Sequence, residues 1–205
     1  MSETLKIAKD KFTLGLELPT DPRWTDIAQK NIKDVLIDHA YCEQKAASSC
    51  ISLIIQYPER QNLVDALAPI VTEEWEHFKR VLHELKKRGY VLGPQRKDLY
   101  VEALTKFIKK GGSREQQLVE KLLLNALIEA RSCERFKILS KTISDPELSE
   151  FYHELMVSEA GHYKSFLTLA KEYMPESVVM KRWEEWLEHE AEILKTMEVR
   201  GDRIH

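Results

Sequence analysis

Two Glu-x-x-His pairs in the 205-residue sequence could do metal chemistry: Glu74-x-x-His77 and Glu159-x-x-His162. Residues three apart on an α-helix share a face. Each pair therefore offers a carboxylate oxygen and an imidazole nitrogen to one point. That donor combination suits iron or manganese better than a thiolate-seeking metal. One E-x-x-H carries little weight, and the chain holds a third, Glu150-x-x-His153. Spacing alone does not choose among them.

The elements that must carry these residues can be read from apolar spacing and punctuation. A first helix is expected from Thr25 to Tyr57, with Pro22 before it and Pro58 ending it. Its inner stripe runs Ile32, Leu36, His39, Glu43, Ala46 or Ala47, Cys50 and Ile54. A second is expected from Arg60 to Arg88, stopped by Gly89, with Pro69 placed to kink it. Its stripe is Leu63, Leu67, Ile70, Glu74, His77, Val81 and Leu85. A long connection from Gly89 to Ser113 holds a short helix between Asp98 and Lys110. A third long helix spans Arg114 to Ile143, with Leu118, Leu122, Ala126, Glu129, Cys133, Phe136 and Ile143 inward. Asp145 and Pro146 read as N-cap and first residue of a fourth, which runs to about Lys171. It turns Leu148, Tyr152, Leu155, Glu159, His162, Phe166 and Leu169 inward. After Met174-Pro175 a fifth helix, Ser177 to Met197, carries Trp183, Trp186 and Leu187.

Hairpin geometry sorts the carboxylates. In an antiparallel hairpin, residues at equal height mirror about the turn. Glu43 mirrors the Glu74/His77 pair about position 59, at the Pro58-Glu59 turn. Glu129 mirrors the Glu159/His162 pair about position 145, at Asp145. Glu150 and His153 mirror onto Lys137 and Ile138, where no carboxylate waits. A faint internal repeat offers a rival to Glu129. Leu36 to Glu43 resembles Leu127 to Glu134, which would make Glu134 the ligand. Glu134 mirrors past the turn and sits about 140° around the helix from Glu129. Glu129 is preferred.

Six candidate ligands result: Glu43, Glu74, His77, Glu129, Glu159 and His162. A glutamate from each of two helices plus Glu-x-x-His from two others is the donor set of ferritin-like carboxylate proteins. By that analogy Glu74 and Glu159 bridge two metals, and Glu43 and Glu129 bind terminally. Any one of these glutamates reads better as a core-edge residue reaching solvent by its stem. All six at matched heights on four helices read better as a metal site. His39, one turn before Glu43, is placed to hydrogen-bond a ligand, although a satisfied core histidine is the plainer reading. Tyr152 and Tyr163 read as packing residues.

The expected architecture is all-α: a ferritin-like four-helix bundle with one long crossover and an extra C-terminal helix, as a single domain over residues 1–205. Charged residues at 32%, with seven Gly and seven Pro, agree with helices. No apolar run is long enough to span a bilayer. The N-terminal MSETLKIAKDKF lacks an apolar signal-peptide core, so a cytoplasmic protein is expected. Cys42, Cys50 and Cys133 form no C-x-x-C pair, which argues against a zinc ribbon or rubredoxin-like site. All three read as small buried hydrophobes. Net charge is −3, yet Lys79 to Arg114 holds eleven basic and three acidic residues. The stretch from Glu172 onward holds five basic and nine acidic. A basic segment of this kind can meet a polyanion or simply be a solvated surface.

A dimetal site permits hydroxylation, iron oxidation for storage, or peroxide reduction. The missing C-x-x-C iron domain disfavours a rubrerythrin-like peroxidase. The basic crossover and fifth helix fit a ferritin cage poorly. The motifs narrow the choice further. Asp38-His39-Ala40-x-Cys42-Glu43-x-Lys45-Ala46-Ala47, Glu73-Glu74-x-x-His77-Phe78, Leu92-Gly93-Pro94, Ile128 to Phe136, and Ser158-Glu159-Ala160-Gly161-His162-Tyr163 resemble the bacterial tRNA 2-methylthio-isopentenyl-adenosine hydroxylase family. The resemblance covers nearly the whole chain, and Glu129 to Phe136 is its most specific stretch. It implies a diiron monooxygenase that uses dioxygen to hydroxylate the isopentenyl group of a tRNA base beside the anticodon. It implies an electron-donating reductase as partner, no membrane, and a monomer or small oligomer. It also gives the basic segment a role. Lys86, Lys87, Arg88, Arg96, Lys97, Lys106, Lys109, Lys110 and Arg114 would contact phosphates of an anticodon stem-loop. The alternatives are an iron-oxidising or iron-storage protein of ferritin type, or a diiron oxidase of another substrate.

Overall fold

Seven helices and no strands form among the described residues, which are 14–204 of the computed structural model. The N-terminal stretch read for a signal peptide lies outside them. The helices are α1 (Arg23–Lys30), α2 (Ile32–Gln56), α3 (Gln61–Lys87), α4 (Leu99–Thr105), α5 (Arg114–Thr142), α6 (Pro146–Tyr173) and α7 (Glu176–Thr196). The chain divides into two compact units. One comprises residues 23–97 and 200–204, the other residues 98–199 with the segment before residue 23. No described helix is long and apolar enough to cross a membrane.

The first unit is built on the α2–α3 hairpin. The single helix expected from Thr25 to Tyr57 is two, because the backbone leaves helical geometry at Asn31 (φ −125°, ψ 33°). The Asn31 side-chain amide compensates by donating to Ile27 O at 2.7 Å. Leu36, Ala47, Cys50 and Leu53 of α2 are buried, as are Leu63, Leu67, Ile70, Val81 and Leu85 of α3. The second helix of the hairpin runs on through Pro69. It stops where Gly89 takes a left-handed φ of 73°. There Gly89 N donates to Lys86 O and Tyr90 N to Leu85 O, a paired cap that satisfies the last carbonyls.

Residues 200–204 are anchored by charge and shape. Asp38 accepts from Arg203 Nη1 at 2.9 Å and from Ile204 N at 2.8 Å. Arg96 donates to Asp202 Oδ2, Asp202 O and Asp34 O, tying the connection after α3 to the same segment. A Cβ at Gly201 would lie 2.5 Å from Ala28 N, so this close approach requires glycine. Burial opposes ionisation of Asp202, but Arg200, Arg96 and Arg203 hold its carboxyl below the usual range.

In the second unit, α5 is central and meets α4, α6 and α7. A reciprocal cap starts it: Gln116 N donates to Ser113 Oγ, and Ser113 N to Gln116 Oε1. Asp145 caps α6 by accepting from Glu147 N and Leu148 N, with Pro146 in the first turn, as its sequence predicts. The short connecting helix ends at Thr105, earlier than the expected Lys110. Because α5 is covered on most sides, even Glu120, Glu129, Arg131, Glu134 and Arg135 are buried. Arg131, fully buried, donates to Glu190 Oε1 at 2.8 Å, to Glu134 Oε2 at 2.8 Å and to Leu18 O. Glu134 also accepts from Thr20 N and Thr20 Oγ1. Tyr100 Oη donates to Glu190, and burial with that carboxylate's charge pushes its phenol pKa well up. Burial and neighbouring Arg131 bring Arg135 down to about 10.

Removing one partner of a buried ion pair leaves a buried charge uncompensated, at a cost of about 3–5 kcal/mol. Glu190→Leu is therefore expected to lower the guanidinium chloride unfolding midpoint, corresponding to a loss of about 3–5 kcal/mol in unfolding free energy. An unchanged midpoint would show that the Arg131 network does not support the fold.

Candidate metal centre

Each unit places two carboxylates and one imidazole together in its interior. In the α2–α3 hairpin, ligand atoms of Glu43, Glu74 and His77 lie within 4.8 Å of one another. His77 Nδ1 is 3.7 Å from Glu43 Oε2 and 3.7 Å from Glu74 Oε2. In the α5–α6 hairpin, atoms of Glu129, Glu159 and His162 lie within the same distance. His162 Nδ1 is 3.1 Å from Glu159 Oε2. All six side chains are buried, and Glu74 is wholly so.

Helix periodicity explains each triad. Glu74 and His77 are three apart on the buried stripe of α3, and Glu159 and His162 are three apart on that of α6. Glu43 and Glu129 come from the antiparallel neighbours, at the mirrored heights about each turn. Glu150 and His153 are exposed, so the third E-x-x-H is a surface coincidence. Glu134, the rival of Glu129, is committed to Arg131 and Thr20 and stands outside the triad. His39 is fully buried and meets Glu43 Oε1 at 2.5 Å. Tyr152 packs its ring against Phe136 and Phe151, and Tyr163 against Trp183, as packing residues do.

Two features escape the sequence reading. The Arg131–Glu134–Glu190 network lies on the same helix as Glu129, and the opposite charges at 131 and 134 are its available signal. Among the cysteines, Cys50 and Cys133 are buried, but Cys42 is only half-buried, because its side chain turns off the inner stripe beside Asp38. Burial, followed by the charge of Glu159, pushes the Cys133 thiol up to about 12. Its Sγ donates to Met156 O.

Ionised carboxylates and imidazoles grouped away from water are stable when they share a cation. Two glutamates and a histidine form a hard-oxygen-plus-imidazole set that fits iron or manganese. The residues present thus fit a bound metal ion. The fold class is all-α and ferritin-like, with one long crossover and an additional C-terminal helix.

Residues 7–205 match the model of the family described as tRNA-(MS2IO6A)-hydroxylase (MiaE). The chain belongs to this family. It is 38% identical to a Pseudomonas putida protein named tRNA 2-(methylsulfanyl)-N(6)-isopentenyladenosine(37) hydroxylase, over 81% of this chain and 80% of that one. A Salmonella typhimurium protein of the same name is 26% identical over 80% of this chain and 77% of its own. Among solved structures, Protein 43 with aldehyde deformylating oxygenase activity from Synechococcus superposes with a TM-score of 0.87. It is 35% identical, over 93% of this chain and 94% of that one.

A thiol kept protonated to high pH and shielded from solvent reacts slowly. In Ellman's assay at mildly alkaline pH, Cys42 is expected to react in the native protein, and Cys133 only on unfolding. Rapid native labelling at Cys133 would contradict its burial.

Proposed function

We propose that this chain is a tRNA hydroxylase acting on the isopentenyl group of 2-methylthio-isopentenyl-adenosine beside the anticodon. The carrying observation is the family match across residues 7–205 in a chain that buries two Glu/Glu/His triads. The two triads are read as one dinuclear iron centre in a single domain. Glu43, Glu74 and His77 would serve one side, and Glu129, Glu159 and His162 the other. The extent of the family match and of the Synechococcus superposition supports treating residues 1–205 as one functional domain. Reduced iron held by such a set supplies two electrons to dioxygen, the chemistry needed to oxygenate an unactivated carbon.

The protein's own residues do the rest. Glu74 and Glu159 would be shared between the two ions, with Glu43 and Glu129 each holding one. Ile70, one turn before Glu74, and Phe166, one turn after His162, are buried on the same helix faces and would keep water from the donors. An electron-donating reductase is needed as partner. A cytoplasmic monomer or small oligomer suits a tRNA substrate. The base would be unstacked from its loop to reach buried donors, as single-stranded RNA allows.

The basic segment is narrower than its charge count suggests. Arg88 pairs with Glu84, Arg96 with Asp202, and Lys109 with Glu185. Lys86, Lys87, Lys97, Lys106, Lys110 and Arg114 are exposed and are assigned to phosphate contact. A second reading, an oxygenase of an aldehyde, draws on the 35% identity to the Synechococcus protein.

The deciding assay incubates iron-loaded protein, a reductase system and dioxygen with tRNA bearing the modified base, and with an aldehyde. Nucleoside mass spectrometry is expected to show one oxygen atom added to the base. Turnover of the aldehyde alone would favour the second reading. Charge reversal at Lys106 and Lys110 is expected to weaken tRNA binding. It should also lower the salt dependence of log K by about one for each phosphate no longer neutralised. Bound iron should be unchanged. Unaltered affinity would remove that segment from the interface.

A further inference from the structure

The two oxygens of Glu43 face different partners. His39 lies one turn earlier on α2, and the backward tilt of helical side chains brings Glu43 over it. His39 Nε2 and Glu43 Oε1 are 2.5 Å apart, with His39 fully buried and Glu43 nearly so. An ionised carboxylate can only accept a hydrogen bond, so Nε2 carries the hydrogen and donates it. Glu43 Oε2 points instead toward His77 Nδ1, 3.7 Å away, on the side where Glu74 Oε2 also lies.

A carboxylate can bind a metal through one oxygen or chelate it through both. Chelation by Glu43 would require Oε1 to turn from His39 toward the metal, breaking a short, buried, charge-assisted bond. We propose that His39 is a positioning residue that holds Glu43 Oε1, so that Glu43 binds metal through Oε2 alone. The inference rests on the dinuclear reading of the two triads. It adds an asymmetry that the ligand set does not contain. One turn before Glu129, the other terminal glutamate, the chain has Asn125. The hairpins therefore do not repeat the histidine–glutamate pair, and the two metal positions differ in how their terminal carboxylate is held.

The bond also explains a fully buried histidine four residues from a glutamate on one stripe. A histidine that served only to fill space would be replaceable by leucine without effect on metal binding. An orienting partner of this kind is worth about 10–100-fold in metal affinity.

The test is anaerobic titration of the full-length chain with cobalt(II), followed by its visible absorption. Infrared difference spectra of the same samples report how metal-bound carboxylates coordinate. The variants are His39→Leu, His39→Gln and His39→Asn. Wild type is expected to bind two cobalt ions per chain. His39→Leu should weaken one of the two by about 10–100-fold and bring in the narrower carboxylate splitting of a chelating glutamate. His39→Gln, whose amide reaches Oε1, should restore both readouts. His39→Asn, one methylene shorter, should not. If His39→Leu fails to fold, the Gln-against-Asn contrast decides. Wild-type affinities and carboxylate bands in folded His39→Leu, or in His39→Asn, would overturn the inference and leave the metal site standing. Absence of cobalt binding by wild type would instead defeat the dinuclear reading, and this inference with it.

Discussion

Burying an ionised carboxylate costs several kcal/mol unless a positive charge and hydrogen bonds replace the lost water. Among the described residues seven glutamates and one aspartate are buried, and the way each is compensated organises the structure. Glu120 takes Arg182, Glu134 and Glu190 share Arg131, and Asp38 takes Arg203. These pairs fasten helices, the N-terminal segment and residues 200–204. Of the remaining four, Glu43 and Glu74 lie with His39 and His77 in one unit, and Glu129 and Glu159 with His162 in the other. Imidazole with carboxylate is the pairing that a divalent metal completes. The same electrostatic cost thus yields a scaffold where arginine meets it and, on the reading proposed above, a metal site where histidine does.

The sorting gives a physical meaning to the stretch from Glu129 to Phe136. Its first glutamate belongs to the triad with Glu159 and His162. Arg131, Glu134 and Arg135 belong to the network that reaches Thr20, Tyr100 and Glu190. Fold and site are therefore built from interleaved residues of one buried helix.

Much of this is legible in the sequence because helix periodicity is a strong signal. The spacing of Glu74 and His77, and of Glu159 and His162, places each pair on one buried stripe. Mirror positions about Pro58 and Asp145 select Glu43 and Glu129 and reject Glu150 and His153. The break at Asn31 is not legible, because apolar spacing continues across it. The fate of Glu134 is obscured by the internal repeat, which aligns it with Glu43, while its partner Thr20 lies far away along the chain. The reach of the basic segment is overestimated for the same reason. Its local charge count cannot include Asp202 or Glu185, which pair with Arg96 and Lys109 across long stretches of chain. Local chemistry is readable from spacing, but long-range ion pairs depend on the fold.

The division of buried carboxylates into arginine-paired and metal-holding sets is tested most directly by iron stoichiometry. Iron bound per chain would be measured after anaerobic loading for wild type, Glu129→Gln and Glu134→Gln, alongside unfolding midpoints. The account predicts two irons in wild type, a loss in Glu129→Gln, and full loading with reduced stability in Glu134→Gln. Full loading of Glu129→Gln, or loss of iron from a folded Glu134→Gln, would contradict it.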